Sequence, residues 1–143
     1  MSDIKEIQDE IIEEFSMLDG DMEMTINYIM ELGEQLPEME ASKRTDENIV
    51  KGCQSKVWLM AGLENDKVQF EADSNTAITK GLVSLLVRVL SGQTPEVILN
   101  NDVYFPEKIG MNRFIGTQRS NGFAAMIKQM KLDALALSTK TNA

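Results

Sequence analysis

The chain has no histidine and only one cysteine among its 143 residues. Without imidazole, histidine-based acid–base catalysis, Ser/His and Cys/His catalytic groups and the commonest nitrogen ligand of zinc are all excluded. A single cysteine cannot form an internal disulfide, and it cannot by itself hold an iron–sulfur cluster, which normally takes four protein ligands. The residue whose chemistry needs an explanation is therefore Cys53.

Long apolar runs are also missing. No stretch approaches the roughly 20 apolar residues that span a bilayer, and the start, MSDIKEIQDE, lacks the basic and apolar regions of a secretory signal. An unpaired cysteine suits a reducing compartment. We therefore expect a cytoplasmic protein with no membrane partner.

Basic residues are scarce in the first part of the chain. Residues 1–40 contain 13 acidic residues against Lys5 alone, and the net charge of the whole chain is −9. This charge makes nucleic acid a poor partner. Two helices with solvated acidic faces explain it more simply than a dedicated docking surface does.

The length and the 43% hydrophobic content fit one globular domain over residues 1–143. Apolar residues spaced by three and four predict a helix from Ile4 to Leu18, capped by Ser2 or Asp3. A second helix, capped by Asp21, completes a helical hairpin over residues 1–36. Its inward face is predicted to comprise Met22, Ile26, Ile29, Gly33 and Leu36.

The middle of the chain has the pattern of strands. After a polar connector over residues 38–48, we predict short strands at residues 49–51, 57–61 and 68–73, forming a small three-stranded antiparallel sheet. Cys53 would lie in the turn over residues 52–55, which leads into this sheet.

Helices return in the last part of the chain. Ser74 is the predicted cap of a core helix that stops at Gly92, and Thr94 that of a short helix reaching about residue 100. The final helix is predicted to begin near Ser120, with residues 138–143 frayed. Gly81 lies inside the core helix at a cost of about 1 kcal/mol relative to alanine, which indicates close backbone packing.

The environment of Cys53 can be interpreted in two ways. A free cysteine is usually a small buried hydrophobe, and composition alone favours that inert role. A polar turn flanked by Lys51 and Lys56 instead favours an exposed thiolate.

Arg119, before or within the first turn of the last helix, gains nothing from the helix dipole. It is either an ordinary surface arginine or, if it lies near Cys53, a partner for a thiolate or persulfide anion.

Several strings of residues in this order and spacing resemble the SufE family of sulfur-acceptor proteins. They are Gly52-Cys53-Gln54-Ser55-Lys56-Val57-Trp58-Leu59, Ala72-Asp73-Ser74, Lys80-Gly81-Leu82, Ser91-Gly92-Gln93-Thr94-Pro95 and Arg119-Ser120-Asn121-Gly122. The resemblance runs from about the second helix to the last. It is specific enough to outweigh the inert interpretation of the thiol.

The resemblance implies an α+β fold with helices packed on a three-stranded antiparallel sheet, similar also to the scaffold proteins of iron–sulfur assembly. It implies that Cys53 accepts persulfide sulfur from a pyridoxal-phosphate cysteine desulfurase, stimulates that enzyme and passes sulfur to a scaffold. The protein would then be an accessory carrier and not an enzyme, with no cofactor or metal of its own, as a monomer or weak homodimer. Our candidate site is Cys53 with Arg119 as anion partner. The remaining candidates, for loop shape and partner binding, are Gly52, Gln54, Ser55, Lys56 and Asp73.

Some positions depart from the family pattern. Met22 and Thr25 stand where tryptophan and arginine are common, Asn75 stands where a second acid is common, and residues 115–118 replace a leucine, serine and proline.

Two alternative functions remain: a regulator that binds a desulfurase without carrying sulfur, and a peroxide-responsive thiol. For the carrier we expect a mobile loop and a sheltered resting thiol.

Overall fold

The computed structural model describes residues 3–141, and in this part of the chain it contains six α-helices and two β-strands. In chain order these are α1 (Ile4–Ser16), α2 (Met22–Glu34), β1 (Val57–Glu64), β2 (Lys67–Ser74), α3 (Ala77–Leu90), α4 (Pro95–Asn100), α5 (Phe105–Ile109) and α6 (Met111–Thr141). Two short 3₁₀ turns, Ala41–Lys43 and Asp46–Asn48, lie in the connector before β1. None of the helices in the described range is long and apolar enough to cross a membrane.

The first two helices begin as their capping residues predict. The Asp3 carboxylate accepts the backbone N–H of Glu6 at 2.8 Å, and the Asp21 carboxylate accepts that of Met24 at 2.8 Å. Ser2, the other candidate cap of α1, lies outside the described residues. The inward position predicted for Met22 is wrong. Its side chain is exposed because it occupies the first helical position after the cap, at the open end of α2.

Helices α2 and α3 cross with their backbones in contact. A Cβ on Gly81 would overlap the carbonyl oxygen of Ile29, and a Cβ on Gly33 would lie 2.7 Å from the backbone nitrogen of Gly81. Both contacts would be closer than a Cβ can approach another heavy atom. The close packing predicted from the interior Gly81 is therefore confirmed.

The sheet has two strands in the described residues, so the predicted third strand at residues 49–51 is wrong. β1 and β2 pair antiparallel from Val57 with Ser74 to Glu64 with Lys67. The segment before Cys53 makes one antiparallel bridge, Ile49 with Trp58, and one hydrogen bond from Val50 N to the carbonyl oxygen of Val57. A 3₁₀ turn before this segment and a tight turn after it leave too few extended residues to form a strand.

Helix α3 forms the middle of the core. Its buried apolar residues are Leu82, Val83, Leu85, Leu86, Val89 and Leu90. The helix begins at Ala77 with Thr76 as N-cap, not at the predicted Ser74, because β2 continues to Ser74. The hydroxyl of Ser74 is used in the loop instead, where it donates to the carbonyl oxygen of Lys56 at 2.8 Å.

Helix α6 is interrupted at Gly116, whose φ of 81° and ψ of 172° are not helical. The predicted start near Ser120 is therefore late, since helix exists on both sides of this kink. Phe123, Met126, Met130 and Ala134 are buried as expected. The helix continues through the predicted frayed tail as far as Thr141, and residues 142–143 lie outside the described part of the chain.

Candidate functional site

The loop that carries Cys53 is fixed at both ends. At its start, Val50 N donates to the carbonyl oxygen of Val57 at 2.8 Å. At its end, Lys56 N donates to Oδ1 of Asn75 at 3.0 Å. Gly52 has a φ of 96°, a left-handed conformation that favours glycine. The segment that carries Cys53 is therefore anchored to β1 at one end and to the residue that follows β2 at the other.

The Cys53 side chain points from this loop towards helix α6. The thiol is half-buried and its Sγ donates to the carbonyl oxygen of Gly122 at 3.4 Å. A Cβ on Gly122 would lie 3.3 Å from Sγ, so the glycine allows this close approach. The structure thus gives the thiol the sheltered resting position that we expected.

The electrostatic prediction for Cys53 is wrong. Lys51 and Lys56 were expected to favour a thiolate, but both side chains are exposed, and burial raises the pKa of the Cys53 thiol. Burial takes the charged thiolate out of water, and this cost outweighs any stabilisation of the thiolate by the two solvated lysines. The resting residue is therefore a protonated thiol near neutral pH.

Beside the thiol lies a cavity of about 370 Å³. The loop, α3 and both halves of the kinked α6 contribute to its wall. The lining residues are Cys53, Gln54, Ser55, Thr79, Leu82, Ile115, Gly116, Thr117, Gln118, Arg119, Gly122 and Met126. The cavity is large enough to hold additional atoms attached to the sulfur.

Arg119 reaches this cavity from the first turn after the kink in α6. Its Nη1 donates to the carbonyl oxygen of Ile115 at 3.3 Å. In the part of the chain that the structure describes, no carboxylate forms an ion pair with Arg119. Its positive charge is therefore available to an anion in the cavity.

Three hydroxyl groups meet at one side of the cavity. Oγ of Ser55 accepts hydrogen bonds from Oγ1 of Thr76 at 3.1 Å and from Oγ1 of Thr79 at 3.3 Å. Ser55 and Thr79 line the cavity, whereas Thr76 lies behind them. These bonds join the Cys53 loop to the start of α3.

Not all candidate residues come together. Gly52 and Lys56 belong to the loop but do not line the cavity, and the buried Asp73 lies away from it. The Asp73 carboxylate accepts Met39 N at 3.0 Å and Ser74 N at 2.8 Å, and lies 3.3 Å from Lys80 Nζ. Burial opposes its ionisation, yet these hydrogen bonds and the Lys80 charge keep the pKa of Asp73 below its ordinary value. In this geometry Asp73 ties the connector to β2.

Among the cavity residues that were not singled out from the sequence, Gly122 and Thr79 form hydrogen bonds with the Cys53 loop. Gly122 was part of the Arg-Ser-Asn-Gly string, but nothing in the sequence showed that its carbonyl oxygen meets Cys53. Thr79 had no local signal, because a threonine in the first turn of a helix is unremarkable without the tertiary contact. In the described residues there is no cluster of three or more Cys, Asp or Glu side chains that could hold a metal ion.

A comparison with known protein families gives a match over most of the chain. A model described as "SufE: Fe-S metabolism associated domain" matches residues 9–134. The chain belongs to the SufE family. Membership gives the protein a role in sulfur transfer or iron–sulfur metabolism.

Individual relatives agree with this assignment. The chain is 40% identical over 131 residues to a protein of Rhizobium etli named as an uncharacterized SufE-like protein, covering 88% of each chain. It is 37% identical over 131 residues to a similarly named protein of Rhizobium meliloti, covering 88% of this chain and 93% of that one. A solution structure of a hypothetical protein from Thermus thermophilus has a TM-score of 0.76 at 20% identity, covering 93% of this chain and 96% of its own. The latter similarity shows that the fold is shared.

Proposed function

We propose that Cys53 accepts persulfide sulfur from a partner pyridoxal-phosphate cysteine desulfurase and passes it on for iron–sulfur cluster assembly. The observation that carries this proposal is the cavity of about 370 Å³ that is lined by both the lone thiol of Cys53 and Arg119. An inert cysteine would be packed by apolar side chains. A thiol with space beside it and an available cation is suited to holding a charged sulfur atom.

The reaction is thiol–persulfide exchange. The Cys53 thiol loses its proton to solvent, and the thiolate attacks the outer sulfur of the persulfide on the donor's cysteine. A new S–S bond forms on Cys53, while the donor's S–S bond breaks and its electron pair leaves with the donor's cysteine thiolate. No external oxidant or reductant is required. Delivery to a scaffold repeats this exchange with Cys53 as the leaving group.

In this role the protein is an accessory carrier and not an enzyme, acting in the reducing cytoplasm. Taking sulfur from the donor frees the donor's cysteine for another turnover, which is how a carrier stimulates a desulfurase. The pyridoxal phosphate belongs to the partner. Cys53 needs only a covalent bond to sulfur.

The resting geometry regulates when this exchange occurs. Burial raises the pKa of the Cys53 thiol, so few molecules carry the reactive thiolate at neutral pH. The half-buried Sγ must also leave the Gly122 carbonyl oxygen to meet a sulfur atom on another protein. We therefore expect the loop to swing outward when the donor docks.

The test is intact mass spectrometry under non-reducing conditions after incubation with a cysteine desulfurase and cysteine. The native chain should gain the mass of about one sulfur atom, removable by a reductant. Cys53→Ser should fold normally and gain none. Sulfur appearing on Cys53→Ser would overturn the proposal.

A second candidate, a regulator that does not carry sulfur, is favoured by the acidic and exposed surfaces of α1 and α2, which could dock an enzyme without the thiol. In that case Cys53→Ser would still accelerate the desulfurase. A peroxide-responsive thiol is disfavoured, because such a thiol needs a low pKa and exposure. Cys53 is half-buried with a raised pKa.

A further inference from the structure

The hydrogen-bond inventory of Ser55 leaves one donor unused. A serine hydroxyl can accept two hydrogen bonds and donate one. Both acceptor positions of Oγ are occupied, by the hydroxyls of Thr76 at 3.1 Å and Thr79 at 3.3 Å. Among the residues that the structure describes, Ser55 Oγ makes no third hydrogen bond, so its own proton has no protein acceptor when both threonines donate to it. The Ser55 side chain lines the same cavity as Cys53, so this proton is available to whatever the cavity holds.

The side chain of Thr76 bonds to the Cys53 loop and not to its own helix. Thr76 stands at the N-cap position of α3, where a threonine side chain ordinarily accepts a backbone N–H of the first turn. Its side chain makes no such bond and its hydroxyl donates to Ser55 instead. The Thr76 side chain therefore connects the start of α3 to the Cys53 loop.

A sulfur atom added to Cys53 changes what the cavity must supply. In the persulfide the inner sulfur has no proton, so the bond from Sγ to the Gly122 carbonyl oxygen is lost. A persulfide is more acidic than the corresponding thiol, and its outer sulfur is therefore the charged atom. A half-buried anion needs hydrogen-bond donors, and the carbonyl oxygen of Gly122 repels it.

We propose that the Ser55 hydroxyl, oriented by Thr76 and Thr79, donates a hydrogen bond to the outer sulfur of the Cys53 persulfide and stabilises its anionic form. This assignment rests on the proposed carrier function. Arg119, which also lines the cavity, supplies a positive charge, and Ser55 supplies a hydrogen bond. With Thr76 and Thr79 donating to Oγ, the Ser55 proton is left for the contents of the cavity.

The test loads the persulfide without any desulfurase. The native chain and its variants are treated with sodium polysulfide, desalted, and titrated by the near-ultraviolet absorbance of the persulfide anion. Ser55→Ala should raise the apparent pKa of the persulfide by about one pH unit, as expected for loss of a hydrogen bond to a charged group. Ser55→Thr, which retains the hydroxyl, should restore most of the native value.

Ser74→Ala is the matched control. Its hydroxyl donates to the Lys56 carbonyl oxygen on the same loop, but it does not line the cavity. Ser74→Ala should leave the persulfide pKa unchanged. An equal rise in Ser55→Ala and Ser74→Ala would show that the hydroxyls only hold the loop, and would overturn the proposal, as would an unchanged pKa in Ser55→Ala.

Chemical loading separates this proposal from the carrier function. If the Ser55 effect is found but no desulfurase transfers sulfur to Cys53, the proposed function fails and the assignment of Ser55 stands. If transfer occurs and the persulfide pKa is independent of Ser55, the carrier function stands and the assignment of Ser55 fails.

Discussion

The thiol of Cys53 donates to the carbonyl oxygen of Gly122 across 3.4 Å, a bond that only the protonated form can make. Ionisation replaces this bond by repulsion between a thiolate and a carbonyl oxygen. The resting position is therefore favourable for the thiol and unfavourable for the thiolate. We therefore expect this contact to couple proton loss to outward movement of the loop, so that the resting thiol is protected from stray oxidants.

This coupling predicts slow alkylation of Cys53 in the free protein. Because burial raises the pKa of Cys53, its thiolate fraction at neutral pH is below that of an unhindered thiol. The rate of reaction with iodoacetamide, measured against pH, should rise with a midpoint above that of a cysteine peptide. The same protein in denaturant is the control and should react at the peptide rate. A native midpoint at or below the peptide value would contradict the prediction.

Gly122→Ala tests the contact from the side of α6. The added Cβ would lie 3.3 Å from Sγ of Cys53, and the loop should yield by a few tenths of an ångström. Alanine is the better helix former by up to about 1 kcal/mol, which offsets the cost of this shift, so the free energy of unfolding should change little. Alkylation of Cys53 should become faster because the thiol is displaced from its shelter. Unchanged alkylation with unchanged stability would show that the shelter does not depend on this contact.

Arg119→Gln tests the available cation in the cavity. Loss of one charge-assisted contact to the persulfide should lower the rate of sulfur acceptance roughly tenfold, a cost of about 1.4 kcal/mol. Arg119→Lys keeps the charge and should be less impaired. Arg113→Gln is the matched control, because Arg113 is an exposed arginine of α6 that does not line the cavity. Equal losses in Arg113→Gln and Arg119→Gln would assign the effect to net charge.

The helices were largely predictable because their signals are local. The period of the apolar residues and the side-chain caps at Asp3, Asp21 and Thr94 lie within a few positions of the helices that they define. The third strand failed for the opposite reason. Residues 49–51 are apolar enough for a strand, but only the flanking turns decide how many of them can pair with β1.

The candidate site was predictable in its residues but not in its electrostatics. Cys53, Gln54, Ser55 and Arg119 meet at one cavity, as the motif strings implied. The expected direction of the Cys53 pKa shift was wrong. The neighbouring lysines can be read from the sequence, whereas the burial of the thiol cannot. Asp73 was placed with the loop on sequence grounds, yet its partners Met39 and Lys80 are set by tertiary packing.

Gly81→Ala should destabilise the fold strongly. Its Cβ would overlap the carbonyl oxygen of Ile29, and backbone cannot move aside as a flexible side chain can. Separation of α2 from α3 should lower the free energy of unfolding by about 3 kcal/mol or more. Gly62→Ala is the control, since a Cβ there meets nothing within 4 Å. Urea unfolding that gave the two variants equal stability would refute the close backbone crossing.

The acid stability of the protein should depend on Glu14. Its carboxylate accepts Nη1 and Nη2 of Arg88 at 3.0 and 2.5 Å and the hydroxyl of Tyr28 at 2.5 Å, joining α1 to α2 and α3. The bonds from Arg88, opposed by burial and supported by Tyr28, hold the pKa of Glu14 below its ordinary value. A carboxylate with a lowered folded pKa stabilises above the unfolded value, about 4.3, and this stabilisation disappears as the pH falls through the folded value.

Glu14→Gln should therefore lower the free energy of unfolding at pH 7 by about 1 to 2 kcal/mol, a range reduced for the partial exposure of the pair. The difference from the native chain should vanish in strong acid, where Glu14 is protonated in both states. Glu13→Gln, the exposed neighbour on α1, should have little effect at either pH. Urea unfolding of the native chain and of each variant at a series of pH values measures these differences in stability. A Glu14→Gln deficit that stayed constant down to the lowest pH would show that packing, and not the ion pair with Arg88, joins these helices.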